Sequence, residues 1–184
     1  MQLHDTGLRF SPVTLFLHWA LAAAVLALLG LGFAAARLEE GPAKLALLGL
    51  HASIGLSVFA LSLYRLWARL RFHHPLPVGP VSPIELIISR SLAVALLIGT
   101  LVLPLLGWVA LSAAGTKLRW FGLIMLAPLV DPAPAWAGVA SFLHRVGAYA
   151  FAIGLALHVY GALRHHLVMK DDTLRRILGK QVEL

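Results

Sequence analysis

Residues 136–163 read WAGVASFLHRVGAYAFAIGLALHVYGAL, an apolar run with one charged side chain, Arg145, and two histidines, His144 and His158. About 20 mostly apolar residues carry an α-helix across a bilayer, so the run reads as a membrane span. Its histidines are 14 positions apart. At 3.6 residues per turn they return to nearly the same helix face, about 21 Å apart along the axis. One helix therefore offers an imidazole near each membrane surface.

Working outward, three more windows are long and apolar enough to span: 13–36, 43–67 and 84–111. The runs are continuous and not alternating, which selects helices over barrel strands. The composition agrees, with 60% hydrophobic residues against 12% charged and a mean hydropathy of +0.86. These values exclude a soluble enzyme and a disordered regulator. The expected fold is all-α: one integral-membrane domain over residues 1–184, four antiparallel helices joined by short loops into a bundle. The first run is too long for a cleavable signal core and is expected to stay as a span. A fifth apolar stretch, 118–130, is short and interrupted by Gly122 and Pro128. It is expected to form an interfacial helix or re-entrant loop with Trp120 and Phe121 at headgroup level. Pro75, Pro77, Pro80 and Pro83 predict a stiff linker before the third span, and Pro104 a kink within it.

The formal net charge of +7 would suggest nucleic acid in a soluble protein. Here it reads as membrane topology, with no nucleic-acid partner. Arg9, Arg65, Arg69, Arg71, Arg90, Arg164, Lys170, Arg175, Arg176 and Lys180 fall on one side of the spans. Arg37, Lys44, Lys117, Arg119 and Arg145 fall on the other, diluted by Glu39, Glu40 and Asp131. The richer side is cytoplasmic by the positive-inside rule, which places both termini there. Cysteine is absent, excluding disulfides, iron–sulfur clusters, thiolate zinc sites and covalently attached c-type haem.

Of nine histidines, His18, His51, His144 and His158 lie at membrane depth. His4, His73, His74, His165 and His166 are expected at the water boundary. Counted from the span ends, His18 matches the depth of His158, and His51 that of His144. Ionisable groups in a membrane are costly and face a bundle interior or cavity. Facing imidazole pairs suit axial coordination of haem iron, for which a bundle core supplies a flat apolar slot. Zinc needs more ligands at each level, and a dinuclear carboxylate centre needs acids the spans lack, Glu85 sitting only at the mouth of the third. Two other readings stand beside this one. The histidines can serve as interhelical hydrogen-bond partners, or as a proton pathway without haem, although the usual Asp and Glu partners of such relays are missing. Gly55, Gly147, Gly154 and Gly161 lie near the histidines and would let a macrocycle or a neighbouring helix approach. Arg65, Arg69, Arg164 and Arg145 are candidate partners for haem propionates.

The chain resembles the bacterial cytochrome b561 family, in the wider group that includes the cytochrome b subunits of Ni/Fe hydrogenases. The resemblance rests on Leu17-His18-Trp19, Leu50-His51-Ala52-Ser53-Ile54-Gly55, Tyr64-Arg65-Leu66-Trp67, Leu103-Pro104-Leu105-Leu106-Gly107-Trp108 and Trp120-Phe121-Gly122. It continues through Leu143-His144-Arg145-Val146-Gly147-Ala148-Tyr149, Leu157-His158, Arg164-His165-His166 and Lys170-Asp171-Asp172-Thr173-Leu174-Arg175. It implies a protein of the bacterial inner membrane with two haem b groups on His18, His51, His144 and His158. Such a protein moves electrons between the quinone pool and a periplasmic or membrane partner. Similar proteins include superoxide oxidases, which pass the electron of superoxide through haem b to ubiquinone. That activity asks for a cationic outer mouth, and Lys117, Arg119 and Arg145 are the candidates to steer superoxide. The alternative is a membrane anchor that relays electrons between a partner dehydrogenase and quinone. In one respect the chain departs from its relatives, which often carry a further histidine early in the third helix, where this chain reads Ser89-Arg90-Ser91.

Overall fold

The computed structural model describes residue 5, residues 9–72 and residues 82–180. Pro75, Pro77 and Pro80 of the linker, with His4, His73 and His74, lie outside the described residues. Four long helices dominate: α1 (Pro12–Ala35), α2 (Pro42–Arg71), α3 (Pro83–Ala113) and α4 (Pro134–Arg164). All four begin with proline, whose fixed φ suits the first helical position and whose missing N–H has no partner to lose there. Ser11 and Ser82 cap α1 and α3 by accepting the N–H groups of Thr14 and Glu85. Among the described residues these four helices are long and apolar enough to cross a membrane.

The fold is an all-α membrane bundle. Close backbone packing runs between α1 and α2, between α2 and α3, and between α3 and α4. Leu21, Val25 and Val58 form the buried core, with Leu28, Ile54, Phe151 and Leu155 packed on it. Glycines set the α3–α4 contact: a Cβ at Gly99 would lie 2.5 Å from the Phe151 ring, and one at Gly147 would lie 2.6 Å from Leu103 Cδ2. Gly147 therefore admits α3, as does Gly154 against Leu92 and Leu96. The helix α3 runs on through Pro104, which leaves the Thr100 carbonyl without its usual N–H.

In two places the structure differs from the sequence expectation. Of the two forms expected for the segment after α3, an interfacial helix or a loop turning back, the helix does not form. The segment is a hairpin of β1 (Arg119–Trp120) and β2 (Ile124–Met125), with Arg119 opposite Met125 and Trp120 opposite Ile124. Phe121 (φ 47°) and Gly122 (φ 74°) are both left-handed, a pair that breaks a helix and closes a tight hairpin turn. Trp120 turns in toward α2. Its indole N–H donates to Ser57 Oγ (3.1 Å), while the Phe121 N–H donates to Ser53 Oγ (2.9 Å), so the hairpin is folded back onto α2. The second difference lies at the far end. The helix α4 continues as a π-helical turn, His165–Met169, then reverses at left-handed Lys170 into α5 (Thr173–Ile177). The Trp19 indole N–H donates to the Ile177 carbonyl (3.0 Å), tying α5 to α1.

Candidate functional site

The helix α4 spaces three rings at seven-residue intervals: His144, Phe151 and His158. Seven residues are nearly two full turns, so all three share a face. His144 meets His51 of α2, with ring centres 5.9 Å apart and planes at 74°. His158 meets His18 of α1, with ring centres 6.3 Å apart and planes at 51°. All four rings are partly buried. Phe151 lies midway in sequence between the two pairs, packed on the apolar core.

The pair at the hairpin end is held in a particular way. His144 Nδ1 lies 2.9 Å from the Leu103 carbonyl of α3, and His51 Nδ1 lies 3.1 Å from the Leu28 carbonyl of α1. A carbonyl oxygen only accepts, so each Nδ1 carries the proton and each Nε2 presents its lone pair. Helical carbonyls are normally shielded by side chains of the next turn. Here the residue four positions on is glycine in both cases. A Cβ at Gly107 would stand 3.4 Å from the His144 ring, and one at Gly32 would stand 3.3 Å from the His51 ring. Those two glycines open the carbonyls to the imidazoles. Gly107 lies in the Leu103–Trp108 stretch that carries the resemblance, but neither glycine was given a role from the sequence, where the glycines weighed for close approach were on the histidines' own helices.

The pair at the termini end is held differently. His18 packs edge-on against Trp19. Among the described residues, neither His18 nor His158 has a hydrogen-bond partner. Arg65, half-buried on α2, lies close enough to both rings to act on them electrostatically. Arg164 is committed elsewhere: its Nη1 donates to Glu85 Oε1 at 2.7 Å and contacts Met169 Sδ at 3.3 Å. His165, expected at the water boundary, is instead largely buried, and its Nδ1 lies 2.5 Å from Asp171 Oδ2.

None of the steering candidates is a member of either ring pair. Lys117 and Arg119 flank buried Leu118 at the base of the hairpin, and Arg145 follows His144 on α4. All three are exposed, and none forms an ion pair among the described residues.

The prokaryotic cytochrome b561 family model matches residues 9–180. The chain belongs to the prokaryotic cytochrome b561 family. It is 29% identical to cytochrome b561 homolog 2 of Escherichia coli K12, an alignment covering 98% of this chain and 96% of that protein. With cytochrome b561 homolog 1 of the same organism the identity is 27%, over 94% and 98% of the two chains. A probable superoxide oxidase CybB of Yersinia pestis is 29% identical over 72% of this chain and 74% of its own. Family membership makes this a bacterial membrane protein of transmembrane electron transfer, and implies b-type haem.

The residues present fit that group. Among the described residues no cluster of three or more His, Asp or Glu side chains converges, so each pair offers two donors only. Two imidazoles that shared one metal through bonds of about 2 Å would have ring centres about 6 Å apart. Both pairs of this cytochrome b561 have that spacing. A porphyrin would supply the remaining donors of an iron held by such a pair.

Proposed function

We propose that this cytochrome b561 is a di-haem superoxide:ubiquinone oxidoreductase. In this reading His51 and His144 would hold one haem b, and His18 and His158 would hold the other. The observation that carries it is the repeat of one arrangement at two levels of α4: a facing imidazole pair, an intervening Phe151, and a second facing pair. When bound, haem iron alternates between ferric and ferrous and so carries one electron at a time.

The chain's own residues do the rest. Leu28 and Leu103, through their carbonyls, fix the tautomer of His51 and His144, leaving each Nε2 as the nitrogen with a lone pair to donate. Leu21, Val25, Val58, Phe151 and Leu155 keep water from the space between the two levels. The termini lie in the cytoplasm, which puts the hairpin and its cations on the outer face. Lys117, Arg119 and Arg145 gather the superoxide anion there. Two superoxide ions each give up one electron and leave as dioxygen, while one ubiquinone takes both electrons and two protons to become ubiquinol. The similarity to the Yersinia pestis protein supports this choice of substrate.

Stopped-flow absorption of the purified protein tests the reading. Superoxide alone is expected to reduce the haem, and added ubiquinone to reoxidise it. Haem that superoxide leaves oxidised overturns the superoxide reading. Haem content tests the ligands: wild type is expected to hold two per chain, and His18→Ala and His51→Ala one each, of different spectral identity.

A further inference from the structure

The outward face of α3 carries a cation that the bundle does not use. Leu92 and Leu96 pack toward Gly154 of α4, and Gly99 toward Phe151, which fixes the side of α3 that looks inward. On the side turned away from α4, Arg90, Ser91, Val94, Ala95 and Ile98 line a shallow groove of about 360 Å³, and all five are exposed. The groove is polar at one end and apolar along the rest. The helix has 31 residues and is about 46 Å long, against a hydrocarbon core of about 30 Å. With an even overhang, Arg90 falls close to the edge of the hydrocarbon, and Val94, Ala95 and Ile98 lie about 6–12 Å deeper. Each described acid at this end has another partner. Glu85 accepts from Arg164 (2.7 Å) through Oε1 and from Ser82 (3.3 Å) through Oε2. Asp171 is paired with His165, and Asp172 with Arg175 at 3.0 Å. Asp5 accepts the Ser11 N–H at 2.7 Å and interacts with Arg65. Arg90 itself forms no ion pair or hydrogen bond among the described residues. Arg69 of α2, which has contacts of its own, lies close enough to feel its charge.

A guanidinium presents paired N–H groups that match two phosphate oxygens. A second cation nearby repels the ammonium of a zwitterionic headgroup, so the polar end of the groove selects net negative charge. The apolar end suits a hydrocarbon chain. We propose that Arg90 and the groove below it bind one anionic phospholipid from the leaflet at the termini end. Its phosphate meets the Arg90 guanidinium, and an acyl chain runs along Val94, Ala95 and Ile98. The site is separate from both imidazole pairs and stands apart from the haem and substrate readings.

Native mass spectrometry of the detergent-purified holoprotein tests this, with dioleoyl phosphatidylglycerol and dioleoyl phosphatidylcholine as probes. Wild type is expected to hold one phosphatidylglycerol more tightly than phosphatidylcholine. Arg90→Gln is expected to weaken phosphatidylglycerol binding about fivefold, and Arg90→Lys to recover part of the loss. Ala95→Trp fills the groove with the guanidinium intact and is expected to weaken binding as well, which surface charge alone would not do. Arg37→Gln, at the hairpin end, is expected to leave it unchanged. If Ala95→Trp does not accumulate, the contrast between Arg90→Gln and Arg37→Gln decides. Equal binding of the two lipids by wild type overturns the proposal, as does a preference that Arg90→Gln leaves intact or full binding by Ala95→Trp. Haem lost from Arg90→Gln with lipid binding unchanged would assign the guanidinium to a propionate and overturn it too.

Discussion

Gly32 and Gly107 show how much of this site depends on a side chain that is not there. Each stands four residues after the carbonyl that receives an imidazole N–H, and each leaves just enough room for the ring. In Gly32→Ala the new methyl would lie 3.3 Å from His51 Cε1, tighter than ordinary contact. The ring must then yield, lengthening its bond to Leu28. Losing that one hydrogen bond is expected to weaken haem retention at this level by roughly 1 kcal/mol, or about fivefold. Haem loss to apomyoglobin, followed for the two haems separately, measures it; equal loss from both levels would contradict the assignment. Asp171 gives a second prediction. Burial works to raise its carboxyl, but the hydrogen bonds it accepts from His165 and Thr173, with the charge of His165, outweigh burial and hold it below the ordinary aspartate range. A lowered folded-state value stabilises the fold above the unfolded value, near 3.9 for a free aspartate, and that gain is lost as pH falls through the folded value. Asp171→Asn is therefore expected to lower the melting temperature at neutral pH, with the gap to wild type closing in strong acid.

At the scale of elements, the sequence was most readable where physics is averaged over many residues. Hydropathy located all four helices to within a few residues because a span must be apolar throughout. Each helix starts at a proline, Pro12, Pro42, Pro83 or Pro134, but of these only Pro83 was read from the sequence as preceding a span. The hairpin was not readable, since Trp120-Phe121-Gly122 lacks the usual Asn-Gly or Asp-Gly signal and Phe121 is an unusual residue to hold a left-handed conformation. Its stability comes from Ser53 and Ser57 on α2, a tertiary contact that no local pattern announces. The same limit hid the carbonyl partners of His51 and His144, because backbone atoms look alike at every position. The α3–α4 seam carries its own prediction. A methyl at Gly99 would meet the Phe151 ring at 2.5 Å, and a stiff aromatic ring cannot swing aside as a leucine tip can. Gly99→Ala is expected to destabilise the bundle by about 1–3 kcal/mol. Gly147→Ala, which meets only the end of Leu103, should cost less. Thermal denaturation of both variants in one detergent compares them.

Over the whole molecule the charges divide by end, and this division gives the excess of +7 two separate meanings. At the termini end Arg164 is tied to Glu85, Arg175 to Asp172, and Arg176 lies over the Phe10 ring at 5.4 Å, so those cations brace the structure. At the hairpin end Lys44 is paired with Glu40, but Lys117, Arg119 and Arg145 are exposed and form no ion pair among the described residues. Exposed cations attract a small anion through a field that salt screens within about 8 Å at physiological ionic strength. If they steer superoxide, the rate of haem reduction must fall as salt rises. Replacing all three with alanine is then expected to slow reduction about tenfold at low ionic strength and to flatten the salt dependence. The same variant should keep both haems and the rate of reoxidation by ubiquinone, because none of the three side chains lies in either ring pair. A uniform loss of rate at every salt concentration would instead mark these residues as structural supports of the hairpin.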